Sequence, residues 1–305
     1  YFQYDANRNL AAVINRNGDT ITYGYDLANQ LINKYLPGNQ ITTFGYDTVG
    51  NLTSVQDPDS SLTFTYDLAN RLTYTSTLGS PYQPEVILTY GYDKNGNRTS
   101  MVDPSGTTNY VYDTLNRLMS LTNSTNQTTT FGYDLLSRRR SLTHANGTST
   151  SYAYDGASQL TSLVNSNGAT TISRFDYTTY DKVGNRISMT EESPSVPTPS
   201  SHNYSYDVLN RLTNAIHPQV ENPAETFSYD GVGNRLTSYL STSYTYNIAN
   251  QLLEDNTYLY TYDNNGNLTT KTEKSTLAAT SYFYDTENQL IAISFPDNSL
   301  SEYRY

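Results

Sequence analysis

Side chains suited to catalysis are scarce in this chain. His144, His202 and His217 are the only histidines among 305 residues, and cysteine is absent. A nucleophile needs a thiol, or a hydroxyl activated by an imidazole that a third group orients. The first is excluded, and so few imidazoles give the second little support. No two histidines have metal-ligand spacing. His202 and His217 fall in proline-containing stretches that read as loops, so all three are expected at the surface. Asp93-Asn95-Asn97 and Asp263-Asn265-Asn267 begin like a calcium loop but lack its later ligands, including the closing bidentate Glu. Turn chemistry accounts for them. Asp57-Pro58-Asp59 and Asp103-Pro104-Ser105-Gly106 are turn signals, not carboxylate pairs. Arg138-Arg139-Arg140 is the one basic run and reads as a solvated or Asp-paired face. No catalytic residue, metal site or cofactor is assigned. The chain reads as a scaffold rather than a self-contained enzyme.

Tyrosine is the abundant chemical group, with 31 residues against 8 Phe and no Trp. Its expected role is ladder packing between strands, each ring burying area while its hydroxyl keeps a polar partner. The alternative is a set of exposed rings that stack on glycans or a protein partner, although Trp, a frequent anchor of such interfaces, is missing.

These residues recur in register. Tyr-Asp stands at Tyr4, Tyr25-Asp26, Tyr46-Asp47, Tyr66-Asp67, Tyr92-Asp93, Tyr112-Asp113, Tyr133, Tyr154, Tyr180-Asp181, Tyr206-Asp207, Tyr229-Asp230, Tyr262-Asp263 and Tyr284-Asp285. Tyr246-Asn247 is a degenerate copy, and Tyr305 begins another. The mean period is about 21.5 residues, within the range of repeat architectures. One unit is plain at residues 41–62. Ile-Thr-Thr-Phe-Gly-Tyr alternates as a strand, Asp47 to Asn51 turns, Leu52 to Gln56 returns, and Asp57-Pro-Asp-Ser turns again. Each repeat is therefore a β-hairpin.

From Asn29 onward, the third residue after the Asp (or Asn247) is Gly50, Gly96, Gly184, Gly233 or Gly266, or else Asn29, Asn70, Asn116, Asn210, Asn250 or Asn288. Gly and Asn best tolerate positive φ, so this position is expected in the left-handed region. The two forms alternate, interrupted by Ser137 and Ser158. The Asn form continues as Arg-Leu or Gln-Leu, the Gly form as Asn-Arg or Asn-Leu. The unit is thus expected to be a pair of hairpins, roughly 43 residues, with alternate hairpins in different surroundings. Thr77–Glu85, Glu191–Asn203 and His217–Thr226 read as extended proline-bearing loops, and the middle one is not expected to form a central strand.

An isolated hairpin is marginal in water. Stacking covers its rings and pairs its edge, so stability accumulates along an array and both ends are vulnerable edges. The expected fold is all-β: tandem antiparallel hairpins in a spiralling, curved sheet, a partial or complete hollow shell. A β-propeller is the alternative, since about 43 residues also suit a blade. Residues 1–305 form one array of about 14 repeats. The chain opens inside one repeat and stops inside another, which predicts a segment of a longer protein.

The formal charge of −11, from 18 basic and 29 acidic residues, opposes nucleic-acid binding and docking on anionic membranes. No apolar run approaches a membrane span.

Tyr-Gly-Tyr-Asp-Lys-Asn-Gly-Asn-Arg (90–98), Tyr-Asp-Thr-Leu-Asn-Arg-Leu (112–118) and Tyr-Asp-Gly-Val-Gly-Asn-Arg-Leu-Thr (229–237) resemble the Rhs/YD-repeat family, and the resemblance spans the whole chain. That family includes Rhs polymorphic toxins, the cocoon subunits of toxin complexes, wall-associated proteins and the teneurins. The resemblance implies a secreted or cell-surface protein of bacterial type. It implies a structural shell that encloses or presents another domain, such as a toxin effector or another part of the parent polypeptide. No Asp-Pro-rich core that would cleave the chain is found, and no variable C-terminal toxin, so self-cleavage carries over to no residue. Two further readings are a cell-surface adhesin that binds glycans or a partner protein, and a filament component that self-associates through its end strands.

Overall fold

In the computed structural model the described residues are 1–79, 84–218 and 224–303. They contain strands and turns and no helix. The first 21 strands, from Phe2–Tyr4 to Glu225–Thr226, form one sheet. Each strand pairs antiparallel with its sequence neighbour, as Gln40–Tyr46 does with Leu52–Gln56 and Leu52–Gln56 with Ser61–Tyr66. Ser228–Tyr229 and Arg235–Thr237 form a short hairpin, and seven strands from Thr245–Tyr246 to Leu300–Glu302 form a third sheet. Backbone bonds from Phe227 N–H to Thr213 O (2.9 Å) and from Tyr244 N–H to Leu236 O (3.1 Å) tie the short hairpin to what precedes and follows it.

A long sheet in sequence order excludes the propeller alternative, which requires separate four-stranded blades around an axis. The sheet does not close into a barrel by strand pairing. Its two ends meet instead through side chains. Asn265 Oδ1 accepts the backbone N–H groups of Arg16 (2.8 Å) and Asn17 (3.1 Å), and Asn17 Nδ2 donates to Asp263 Oδ2 (3.1 Å). Lys34 Nζ reaches both oxygens of Glu287 at 2.8 Å. The turn at Asn15–Asp19 lies on one edge of the ribbon, and the Tyr-Asp turns at Asp263 and Asp285 lie on the other. One winding therefore abuts the next edge to edge, and the ribbon advances as a spiral.

The wall is thin. No large side chain is fully buried among the described residues, and the buried apolar positions are Ala12, Ile21 and Ala215. The tyrosines do the covering as half-buried rings, several under an arginine: Arg98 lies 4.7 Å from the Tyr110 ring centre and Arg186 lies 4.8 Å from that of Tyr204. Such cation–ring contacts suit a wall with one wet face.

One expectation fails. Glu191–Asn203 is not a loop: it belongs to the strands Arg186–Ser193 and Val196–Tyr206, the second 11 residues long. Proline is excluded from a strand only where its missing N–H would join a ladder. Pro199 lies across from an irregularity, where the register shifts between Glu191 and Ser193. On the other side the strand Leu212–Ile216 pairs only as far as Asn203. Among the described residues, then, the ladder on that second side stops before the prolines, which displace none of its pairs. The first proline-bearing segment is strand through Leu78, and the third contains the strand Glu225–Thr226. Residues 80–83 and 219–223, and Tyr305 with its incipient repeat, lie outside the described residues.

Candidate functional site

The repeated turn is built by its aspartate. Asp67 Oδ1 accepts the N–H of Ala69 (2.8 Å) and of Arg71 (3.0 Å), while Oδ2 takes Arg71 Nε at 2.7 Å. Asp26, Asp47, Asp93, Asp113, Asp181, Asp207, Asp230 and Asp285 hold the amides two and four residues ahead in the same way. Asp263 accepts from Asn267 at 2.8 Å. Donors converging on a carboxylate favour its charged form. The Asn51 side chain foremost holds Asp47 below the usual carboxylate range, the Arg71 side chain does so for Asp67, and the Arg117 amide for Asp113. The third residue after the Asp has positive φ in both forms, 59° at Asn70 and 62° at Asn210 against 95° at Gly50 and 93° at Gly184. A type I turn followed by a left-handed residue is a standard hairpin loop with a bulge, and the register shifts beside each Tyr, as between Gly45 and Tyr46.

The alternation is a relay between neighbouring turns. In a Gly-form repeat the next residue is Asn, which donates forward to the left-handed Asn of the following repeat: Asn51 to Asn70 (3.0 Å), Asn97 to Asn116 (2.8 Å), Asn185 to Asn210 (2.8 Å), Asn234 to Asn250 (3.0 Å) and Asn267 to Asn288 (2.8 Å). Asn9 does the same to Asn29 at 2.9 Å. In an Asn-form repeat the next residue is often Arg, which bridges to the following turn through the backbone. Arg71 Nη1 donates to Asp93 O (2.8 Å) and Arg211 Nη1 to Asp230 O (2.9 Å), and each guanidinium covers the following tyrosine, Tyr92 at 4.8 Å and Tyr229 at 4.7 Å. Two forms exist because one gives a side-chain acceptor and the other a backbone acceptor.

The tyrosine hydroxyls complete the junction. Tyr46 donates to Leu31 O (3.0 Å), Tyr66 to Leu52 O (2.9 Å), Tyr92 to Leu72 O (2.7 Å) and Tyr206 to Arg186 O (2.9 Å). Tyr25, Tyr112, Tyr180, Tyr229 and Tyr262 reach the equivalent carbonyl of the preceding repeat. That carbonyl stands where the bulge interrupts the ladder, so the hydroxyl gives it a partner. Sequence reasoning gave the ring its packing role and missed this bond, because the acceptor is backbone and leaves no trace in side-chain identity. The basic run divides: Arg138 pairs with Asp134 at 2.7 Å, Arg139 lies over Phe131, and Arg140 is exposed.

Away from the junction the structure brings two histidines together. His202 is a strand residue, 5% exposed, where a surface loop position was expected. Val196–Tyr206 continues past its prolines and carries the imidazole into the sheet. Asn203 pairs with Ile216, so the next step of the register sets His217 beside His202. Their Nδ1 atoms are 2.8 Å apart and their rings meet at 64°. His202 Nε2 lies 3.4 Å from Glu191 Oε2, and His217 Nε2 lies 3.7 Å from Glu225 Oε1. His144 opens an exposed turn, its N–H bonded to Thr148 O at 2.8 Å. A cleft at the seam, about 690 Å³, is lined by Lys34, Gln40, Asp57, Asp285, Glu287 and Tyr303 among others.

Comparison with known proteins gives a consistent picture. The teneurin YD-shell family description matches residues 1–146 and 35–185. Curated protein sequences give no match. Among solved structures, TcdB2-TccC3-Cdc42 is similar over 96% of this chain with a TM-score of 0.58 and 15% identity. TcdB2-TccC3 gives 0.57 at 16%, and the Photorhabdus luminescens Tc holotoxin pore gives 0.54 at 15%. The chain covers 20% of each of those chains. At such identities the likeness is one of fold.

Proposed function

The chain belongs to the teneurin YD-shell family, and we propose that it is a length of hollow wall in a larger secreted or surface protein, enclosing another part of that protein. The observation that carries this reading is the spiral seam, with Asn15, Arg16, Asn17 and Lys34 bonded to residues about 250 positions later. A ribbon that returns upon itself bounds a volume; an open sheet does not. The relay of Asp, Asn, Arg and Tyr makes each repeat a support for the next, which suits a wall. The likeness to the TcdB2-TccC3 fold, over 96% of this chain, adds support. Bacterial secretion as the setting rests on the same likeness. Cryo-electron microscopy of the full parent chain tests the reading. The expected map shows coiled YD repeats around internal density. A ribbon with both faces in bulk solvent would remove it.

A second reading, self-association, has one observation in its favour. Leu27, Leu68, Leu135 and Val208 protrude from four of the Tyr-Asp turns and Ile248 from the Tyr-Asn turn, all of them almost fully exposed. They line the edge that at Asp263 and Asp285 is covered by the neighbouring winding. Another winding or another copy could cover them too. Sedimentation of the 305-residue chain over a hundredfold concentration range discriminates: a constant monomer leaves the rim to the parent chain itself.

A further inference from the structure

We propose that His202 and His217 form a binding site for a divalent transition metal, such as Zn(II), Ni(II) or Cu(II), held between their two Nδ1 atoms. Each imidazole has a carboxylate on its Nε2 side, Glu191 at 3.4 Å and Glu225 at 3.7 Å, the second beyond hydrogen-bonding range. The two Nδ1 atoms face each other at 2.8 Å, where one ring's N–H donates to the other in the metal-free pair. Loss of that one proton leaves two convergent lone pairs, one on a buried ring, aimed at a common point.

A metal ion has no need of a proton on either ring and takes neutral imidazole. Carboxylate–histidine–metal arrangements use the outer carboxylate to fix the ring and raise its basicity, and here both rings have one.

The fit requires a small adjustment. At a metal–nitrogen length of about 2.0–2.1 Å and a tetrahedral angle, the two nitrogens stand about 3.3 Å apart. The pair must open by about half an ångström, and His217 can supply this because it follows the end of the strand Leu212–Ile216. His202 is fixed: it is 5% exposed and its strand is paired to Met189. Among the described residues no third His, Cys, Asp or Glu completes a ligand set. The remaining positions fall to water or to a donor from a partner, so the site is of the open kind. Imidazole donors suit Cu, Ni and Zn, with Cu(II) bound most tightly.

The test is calorimetric titration of the chelator-treated 305-residue chain with Zn(II) and Ni(II), with Co(II) absorption as a spectroscopic check. One saturable equivalent is expected. His217→Ala should abolish it while the circular dichroism stays that of the parent, and His144→Ala should leave it intact. Glu191→Gln should weaken binding by about ten- to a hundredfold. Because His202→Ala alters a buried position, the less buried His217 carries the decision. No saturable equivalent, or binding that survives His217→Ala, overturns the proposal. Histidine titration by NMR with no metal uptake would leave a shared proton as the bridging cation and overturn it equally.

Discussion

Replacing Asn70 separates the two functions assigned to the left-handed turn residue. Asn70 holds φ at 59° and its Oδ1 accepts Nδ2 of Asn51 at 3.0 Å. Asn70→Ala removes the acceptor and places a residue with Cβ and no compensating side chain in the left-handed region, at a cost of about 1–2 kcal/mol. The lost hydrogen bond is solvent-accessible and adds about 0.5 kcal/mol, the low end for such bonds. Asn70→Gly loses the same bond but relieves φ, and its extra unfolded-state freedom costs about 0.4–1 kcal/mol. The expected order is Ala about 2 kcal/mol below the parent and Gly about 1 kcal/mol below it. Because repeat arrays open locally, the assay is amide hydrogen exchange read at the hairpins of Asp47 and Asp67, with urea midpoints as a global check. Asn51→Ala combined with each variant closes a mutant cycle, and coupling between positions 51 and 70 should appear. Equal losses for Ala and Gly would show that φ is not the constraint. Zero coupling would show that the relay between turns has no energetic content.

Three further outcomes are expected. Tyr112→Phe keeps the ring and deletes the bond to Arg98 O at 3.1 Å, so exchange at that junction should rise by about 0.5–1.5 kcal/mol of local opening; no change would mean water replaces the hydroxyl at no cost. Asp47, Asp67, Asp93 and Asp113 are held below the usual 3.8 by the Asn51, Arg71 and Asn97 side chains and the Arg117 amide respectively. A lowered folded value means that this stabilisation is complete above about pH 4 and is lost as pH falls through the folded values, so thermal midpoints should hold to about pH 4 and then drop; a fall starting at pH 6 would point to other groups. Lys34→Glu sets a second acid against Glu287, which Lys34 meets at 2.8 Å, so cross-linking between engineered cysteines at Asn17 and Asn265 should fall relative to a Lys34 background; undiminished cross-linking would show that the turns hold the seam unaided.

Hairpin turns were legible in the sequence because their chemistry is local. Asp67, Asn70 and Arg71 lie within five residues, and their offsets alone constrain the backbone. The strand Val196–Tyr206 was not legible, because the prohibition on proline depends on whether a neighbour claims its other edge, which is tertiary information. The His202–His217 contact has the same origin: a bulge after Ser205 sets the register, and no spacing rule anticipates it. The seam was hidden because Asn17, Asp263 and Asn265 are ordinary turn residues. Its two sides are 246 to 249 positions apart, and only the pitch of the spiral unites them.

Pairing every strand with its sequence neighbour has a kinetic consequence. All-β domains usually fold slowly, because their ladders join distant segments and loop closure must come first. Here each closure spans only a turn, so the ribbon can zip hairpin by hairpin as chain becomes available, from either end. The seam alone must await the arrival of residues near 265 and 287. Assembly therefore divides into a fast local phase and one late docking step, and a chain stalled before that step is a nearly finished wall still open along its side.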